Sequence, residues 1–263
     1  MNWKKYLPIL IIVSCAVIAT ILYLVVLGDP SHFKNGNMKE PADLFGVVYT
    51  GGWLVPVLLA LFLMAVMFVF ERIFSLNKAQ GRGSLPKFLK RVQQHLLAGN
   101  IDAAIDECNR QRGSAANILR QGLERYKQVQ NDPTLDTEKK LAEVKRVVDE
   151  ATGLETPLLE KNLLALSTIA SVSTMVGLLG TTLGMIRSFQ ALATGGGGSV
   201  SPVELSLGIS EALINTAGGL LAAIISIICY NIFTNKVDNF VYMIEEAVIS
   251  MMEILTVKTT NRQ

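Results

Sequence analysis

Apolar residues along the chain are gathered into four long windows that contain no charged side chain. The windows are residues 6–28, 44–70, 162–186 and 212–235. A helix rises about 1.5 Å per residue, so roughly 20 apolar residues cross the hydrocarbon core of a bilayer, which is about 30 Å thick. Each window is long enough. The pattern therefore predicts an all-α integral membrane protein with four transmembrane helices.

The stretch between the second and third windows has a different helical pattern. Apolar residues recur there at spacings of three and four, which is typical of helices with one buried face. Gly99–Asn100 predicts the end of a first such helix, and Asp136 or Thr137 predicts the start of the last one. That last helix is expected to continue into the third span, with Pro157 marking a kink or a fresh first turn. A similar stripe follows the fourth window, at Val241, Ile244, Val248, Met251 and Leu255.

These patterns divide the chain into four parts. The first apolar window could also be read as a signal peptide. However, its apolar core exceeds the usual length of roughly 7–15 residues, and no small-residue cleavage site follows before Asp29. An uncleaved anchor helix is therefore favoured. The predicted parts are an N-terminal anchor, loop and second span (1–70), a polar helical domain (71–161), the third and fourth spans (162–235), and a C-terminal helix (236–263).

Composition and charge add an orientation. Only 17% of the 263 residues are charged, against roughly 25% in soluble domains, and the mean hydropathy is +0.39. Of the 24 Lys and Arg residues, 16 lie in 71–161, whereas 188–203 contains none. Basic loops favour the cytoplasmic side, so 71–161 and both termini are expected in the cytoplasm. The long helices would then extend into a cytoplasmic helical domain. Acidic and basic residues are mixed and the net charge is only +2, which does not favour nucleic-acid binding.

Catalytic and metal-binding patterns are missing from the sequence. The two histidines, His32 and His95, are predicted on opposite sides of the membrane, and no Cys/His cluster has metal-ligand spacing. No P-loop motif is present, and the run Gly195–Gly198 lacks a following Lys, so a flexible outer loop is the better interpretation. We therefore predict a protein that is not an enzyme and has no catalytic residue, bound metal or cofactor.

The third window carries one stripe of small and weakly polar residues. Its members are spaced alternately by three and four, which places all of them on one side of a helix. Small residues allow close helix packing, which is the commoner use of such a stripe, and Gly180-x-x-x-Gly184 fits it too. The alternative is a polar lining for an ion path, and both uses can coexist. The stripe consists of Ser167, Ala170, Thr174, Gly177, Thr181, Gly184 and Ser188.

The fourth window carries a broader small-residue face with one acid at its edge. Glu211 costs about 2.5–3.5 kcal/mol to place in a span, so such residues usually face a bundle interior and serve a function. The alternative is that Glu211 is hydrated near the outer interface. One stripe contains Glu211, Asn215, Gly218 and Ala222, and the adjacent one contains Ala212, Thr216, Gly219, Ala223 and Ser226.

These motifs resemble the ExbB/TolQ/MotA proton-channel family, and ExbB and TolQ in particular. The resemblance rests on the run from Val176 to Phe189 (VGLLGTTLGMIRSF), on the run from Gly208 to Ala217 (GISEALINTA), and on Ala222-Ala223 ahead of Tyr230-Asn231. The insert stretch GNIDAAIDEC, residues 99–108, is also similar to the family's cytoplasmic region. Together the similar parts cover roughly residues 88–258.

The resemblance implies an ion-driven stator of the bacterial inner membrane. Such subunits form a homopentameric ring around the transmembrane helices of a single-span ExbD/TolR-like partner, whose aspartate takes up the proton. Rotation of the subunits and the partner relative to each other would then drive TonB-type outer-membrane transport, with a TonB-like protein as a further partner. The alternative uses of this rotation are TolQ-like envelope maintenance, gliding and secretion. By the same resemblance, Thr181, Thr216 and Glu211 are ion-pathway residues. Asn215 stands where an alanine is usual and, as an amide beside the pathway, is predicted to be an ion-pathway residue as well. The sequence does not decide whether the coupling ion is a proton or sodium. It is also compatible with a membrane scaffold that conducts no ion.

Overall fold

The computed structural model describes residues 3–34, 37–38, 40–132, 135–194 and 202–260 of the chain. Within these ranges the secondary structure is helical, and a single isolated β-bridge joins Phe33 to Pro41. The α-helices are α1 (Trp3–Ile21), α2 (Leu44–Tyr49), α3 (Leu54–Gln80), α4 (Leu85–Leu97), α5 (Ile101–Gln111), α6 (Ser114–Val129), α7 (Thr137–Glu160), α8 (Leu163–Thr194) and α9 (Pro202–Thr260).

Three helical stretches are long and apolar enough to cross a membrane. They fall within Leu54–Leu97, Thr137–Ala193 and Pro202–Lys258. The N-terminal segment contributes a shorter apolar helix, Ile11–Leu27. The chain is therefore an all-α protein with three membrane-length apolar helices, and the fourth span stays a prediction.

The chain divides into two compact units. One contains residues 1–70 and 164–231, and the other contains 71–163 and 232–263. In the first unit, Leu61 and Ala65 of α3 are buried together with Ile169 of α8, and Met64, Phe68 and Val176 pack against them. This apolar contact pairs the predicted second and third spans.

The second unit is a set of amphipathic helices with a continuous apolar core. The apolar face of α4 is turned inward, since Leu85, Phe88, Val92 and Leu96 are buried and Leu89 is half-buried. Asn100 caps α5 by accepting from the Ala103 amide at 3.1 Å, and Asp136 caps α7 by accepting from the Thr137 amide at 2.8 Å. The core also includes Cys108, Ile118, Leu123, Val144, Val148, Ile244, Met251 and Leu255.

Two helix boundaries differ from the sequence prediction. The second window is continuous in hydrophobicity, yet α2 ends at Tyr49 and α3 begins at Leu54. Between them Gly52 has φ +77°, a conformation that glycine adopts without steric cost. The break is invisible to hydropathy because its residues carry no charge.

The second difference is the junction of α7 and α8, which lies at Asn162 instead of Pro157. Pro157 is accommodated inside α7, whereas Asn162 has φ +64°, a left-handed conformation that Asn tolerates better than most residues. The Asn162 amide donates to Glu71 at 3.2 Å, and the guanidinium of Arg72 donates to the Leu159 carbonyl at 3.1 Å. Arg72 is buried, so this polar cluster satisfies the end of α7.

The N-terminal helix continues past α1 through a π-helical segment, Leu22–Leu27. Tyr23 in this segment stacks on Tyr49 of α2 with ring centroids 4.7 Å apart, and its hydroxyl donates to the Tyr49 carbonyl at 3.2 Å. Gly28 follows with its backbone against Leu24 and its Cα beside the Tyr49 ring. The helix is thus tied to the segment that precedes α3.

Candidate ion pathway

The stripe of small residues on α8 is divided into two rows in the structure. Ala170, Gly177, Gly184 and Ser188 are buried, together with Gly180 beside them. The hydroxyl-bearing members spaced seven residues apart are only half-buried, and they are Ser167, Thr174 and Thr181. Close packing and accessible hydroxyls therefore occupy adjacent sides of the same helix.

The buried row packs against α9 at backbone distance. A Cβ added to Gly184 would lie 2.6 Å from the Gly208 carbonyl oxygen and 2.7 Å from the Ala212 Cβ. A Cβ added to Gly177 would lie 3.3 Å from the Gly219 Cα. At Gly184 there is no room for a side chain, and at Gly177 a side chain would fit only if its neighbours shifted. The glycines therefore bring α8 and α9 together, as expected for small residues between membrane helices.

Thr181 and Thr216 use their hydroxyl protons in the same way. The Thr181 hydroxyl donates to the Leu178 carbonyl at 2.6 Å. The Thr216 hydroxyl is within reach of two carbonyls, Ala212 at 3.1 Å and Gly177 at 3.3 Å. Because a hydroxyl has one proton and two lone pairs, each oxygen remains able to accept a hydrogen bond from water or from an acid.

Glu211 is buried and paired, rather than simply hydrated at the interface. Only 4% of the residue is exposed, and its carboxylate accepts from the guanidinium of Arg187 on α8. The carboxylate also lies against the backbone of Gly52. A buried acid held by an Arg and facing the turn before α3 joins three segments of the first unit.

Arg187 was not singled out from the sequence as a functional residue, although a signal was present. Residues 162–235 contain three charges, namely Arg187, Glu204 and Glu211, and Arg187 is the one cation among them. A buried acid needs a counter-charge. The side chain of Arg187 is 53% exposed, so it connects buried Glu211 to the surface of this unit.

Asn215 is fully buried, and its amide has a definite partner. Its Nδ2 donates to the Gly51 carbonyl at 2.8 Å, across a sequence separation of 164 residues. The side chain also lies against Gly180 of α8. Its Oδ1 has no hydrogen-bond partner among the described residues. Asn215 thus fixes α9 to the turn between α2 and α3.

Gly218 and Gly219 point towards different neighbours although they are adjacent. A Cβ on Gly218 would lie 3.5 Å from Leu58 of α3, whereas a Cβ on Gly219 would lie 2.6 Å from the Ser173 carbonyl of α8. The broad small face of α9 is therefore occupied by contacts with α3 and α8 within one chain. Ser173 itself is fully buried, and no partner for its hydroxyl exists in the described part of the chain.

A cavity of about 560 Å³ opens beside the Arg187–Glu211 pair. Its lining includes Tyr49 and Thr50 from the segment before α3, and Glu204 from the start of α9. The pair is thus accessible from this recess. The predicted glycine loop Gly195–Gly198 lies outside the described residues, and across those residues no group of His, Cys, Asp and Glu could hold a metal ion.

These features define a multi-pass membrane protein: its long apolar helices pack through glycines. The hydroxyls and the Arg187–Glu211 ion pair among the helices form a candidate polar pathway. Residues 110–246, just over half of the chain, match the model of the MotA/TolQ/ExbB proton channel family. The chain belongs to this family, which confirms the resemblance drawn from the two span motifs. It is thus a member of a proton-channel family whose named relatives serve biopolymer transport and the Tol-Pal system.

Individual relatives carry both family names. The Tol-Pal system protein TolQ of Pseudomonas aeruginosa is 38% identical over 119 residues, covering 45% of this chain and 51% of the relative. The biopolymer transport protein ExbB of Salmonella typhimurium is 32% identical over 122 residues, covering 46% of this chain and 45% of the relative. A putative ExbB homolog of Methanothermobacter thermautotrophicus is 26% identical over 208 residues, covering 77% of this chain and 68% of the relative. The chain spans about half the length of most of these relatives.

Proposed function

We propose that this protein is the proton-driven stator subunit of an inner-membrane motor. Several copies, five by the family resemblance, form a ring around the membrane helices of an ExbD/TolR-like partner and couple the proton motive force to TonB-type outer-membrane transport. The observation that carries this proposal is the half-exposed hydroxyl row of α8, Ser167, Thr174 and Thr181, in a chain of this family. A helix used for packing alone has no need of accessible hydroxyls along its length.

The proposed pathway uses the chain's threonines as acceptors next to an acid supplied by the partner. Thr181 and Thr216 each have their hydroxyl proton engaged by a backbone carbonyl, so each oxygen presents lone pairs. A protonated carboxyl of the partner, or a water molecule, would donate to these oxygens. Because the hydroxyls are held by their own backbone, they need no rearrangement when the ion passes.

Arg187 and Glu211 would then act at the outer end of the pathway. By the positive-inside rule the start of α9 faces away from the cytoplasm. The cavity beside the pair offers water a route to the outer end of the pathway. The pair would also hold α8 and α9 in register while the partner moves.

Thr181→Val tests the pathway in cells. Valine has nearly the same shape but lacks the hydroxyl, so the ring should assemble normally while energy-dependent uptake across the outer membrane falls to the level of a deletion strain. Thr182→Val is the matched control, because Thr182 is exposed on the same turn and its hydroxyl likewise donates to its own helix, at 2.8 Å to Leu179. Equal uptake by the wild type and Thr181→Val would contradict the proposed role.

A TolQ-like role is the second candidate, and the relatives named TolQ favour it as directly as those named ExbB favour the first. Both roles use the same pathway but different outer partners. Deletion of the gene separates them: loss of active uptake indicates the TonB-type role, and leakage of periplasmic proteins with detergent sensitivity indicates the Tol-Pal role. A non-conducting scaffold would leave both phenotypes unaffected by Thr181→Val.

A further inference from the structure

A cavity of about 970 Å³ lies within the polar helical unit, bounded by the end of α3, the α5–α6 turn and the end of α7. Its lining is unequal in charge. Glu155 is the one acid in the lining, against four cations, Lys78, Arg82, Arg112 and Arg120. Such a wall favours an anion in the space that it surrounds.

Three of these cations are available for a ligand. The side chains of Lys78, Arg82 and Arg112 are exposed and make no ion pair within the described part of the chain. Arg120 is engaged by Glu124 at 2.9 Å, and Glu155 accepts from the Asn117 amide at 2.6 Å. The one acid in the lining has a hydrogen-bond donor, and three of the four cations have no ion pair among the described residues, so the lining keeps an excess of positive charge.

The cavity also receives the N-terminus of a long helix that has no side-chain cap. Helix α6 begins at Ser114 and has 16 residues, its N-cap is Gly113, and its first turn contains no acidic residue. The first amide groups of a helix have no partner within the helix, and the helix dipole places partial positive charge there. This end of α6 is thus suited to bind an anion.

Ser114 gives independent evidence for a ligand. It lines the cavity and is 93% buried, and its hydroxyl has no hydrogen-bond partner among the described residues. The hydroxyl oxygen is not one of the sealed, unpaired polar atoms of the core but is open to the cavity, so its proton is available to a ligand there. An anionic oxygen placed at the start of α6 would accept from this hydroxyl and from the adjacent amides.

The site is already formed without a ligand. Gly81 has φ +78° and Gly113 has φ +86°, and the two turns that contain them are packed backbone against backbone. The Arg82 amide donates to the Gln111 carbonyl at 2.7 Å, which fixes the start of the α3–α4 loop against the turn before α6. The backbone of the site would therefore need no reordering on binding.

We propose that this cavity is a binding site for a phosphate-bearing anion, held by the N-terminus of α6, the Ser114 hydroxyl, and Lys78, Arg82 and Arg112. The phosphate could belong to a small solute or to the headgroup of an anionic phospholipid. Lys78 is eight residues beyond Phe70, the last residue of the second apolar window, or about 12 Å along α3. From this position the long side chain of Lys78 can extend back towards a headgroup. The inference does not depend on the proposed stator function.

The test uses the full chain purified in detergent and two probes. Inorganic phosphate is titrated at constant ionic strength against chloride, and phosphatidylglycerol is titrated against phosphatidylcholine in the same micelles, with binding followed by calorimetry and by the melting temperature. The site variant is Arg82→Gln with Arg112→Gln. The matched control is Lys87→Gln with Arg110→Gln, which removes the same charge at exposed residues outside the cavity.

At least one probe should bind saturably, and the site variant should weaken that binding by at least roughly tenfold while the control variant changes it by less than twofold. Ser114→Ala, which leaves every charge in place, should weaken it several-fold as well. Binding of phosphate identifies a solute ligand, and binding of phosphatidylglycerol alone identifies a lipid. Equal weakening in the site and control variants, or saturable binding of neither probe, would overturn the proposal.

Discussion

Glu211 and Asn215 lie four residues apart on α9, and each binds a different segment of the first unit. Glu211 pairs with Arg187 of α8, and Asn215 binds the Gly51 carbonyl before α3. The sequence singled out Glu211 because it is an acid at the edge of a charge-free window, and Asn215 because it stands where the family resemblance places an alanine. It did not predict their partners, since a pairing across 24 or 164 residues depends on how closely the helices approach.

Removal of the Asn215 amide should destabilise the protein. Asn215→Ala breaks the 2.8 Å bond to Gly51 and leaves a buried carbonyl without its donor. We expect a loss of about 1 kcal/mol and a lower melting temperature in detergent. Ser226→Ala is the control, because the Ser226 hydroxyl donates only to Ala222 of its own helix, at 2.7 Å. A melting temperature for Asn215→Ala as high as that of Ser226→Ala would rule out a stabilising role for the Gly51 bond.

Glu143 provides a pH dependence in the polar unit. The guanidinium groups of Arg146 and Arg125 donate to its carboxylate, and they lower the pKa of Glu143 to about 2 from an ordinary value of 4.5. A lowered acid pKa stabilises the folded state above pH 4.5, and this stabilisation is lost as the pH falls towards 2.

Glu143→Gln should therefore flatten the acid dependence of helix content between about pH 4.5 and 2, as measured by circular dichroism. Glu138→Gln is the control, because Glu138 is exposed on the first turn of the same helix. Identical acid titrations of the wild type and Glu143→Gln would show that the Arg contacts do not contribute to the folded state.

At the scale of the helices, the spacing of small and weakly polar residues predicted that they lie on one side of α8. It did not decide whether that side serves helix packing or an ion path. Packing and an ion path were both compatible with the stripe, and the structure places glycines against α9 and threonines on the adjacent half-exposed side. Hydropathy did not predict the break before α3, because Gly51 and Gly52 carry no charge. It also did not predict that the junction at Asn162, rather than Pro157, ends α7.

Two glycine substitutions test the close approach of α8 and α9. Gly184→Ala puts a methyl group 2.6 Å from the Gly208 carbonyl, so we expect a loss of about 1–3 kcal/mol from overpacking. Gly153→Ala is the opposite case, because nothing lies within 4 Å of its Cβ position in α7. It should stabilise the protein by about 0.5–1 kcal/mol through a better helix propensity. Thermal unfolding of both variants measures the difference, and equal shifts would mean that α8 and α9 are not in backbone contact.

At the scale of the whole molecule, charge distribution predicted a membrane protein with one polar helical domain, and the span motifs predicted its family. The family is confirmed, and three helices of membrane length are present. Orientation, ring formation and the partner remain predictions, because a single chain contains neither a bilayer nor the groups that complete the pathway. The N-terminal helix is tied to α2 through the stacked rings of Tyr23 and Tyr49.

The central claim is that Thr181 and Thr216 line a proton pathway, where their oxygens accept hydrogen bonds from water or from an acid of the partner. Proton flux into liposomes that contain the chain with its co-expressed single-span partner, driven by an imposed membrane potential, measures this most directly. We expect flux in the wild type and in Thr182→Val, and flux at the level of empty liposomes in Thr181→Val and in Thr216→Val. Wild-type flux in both pathway variants, or flux that requires sodium instead of protons, would contradict the account.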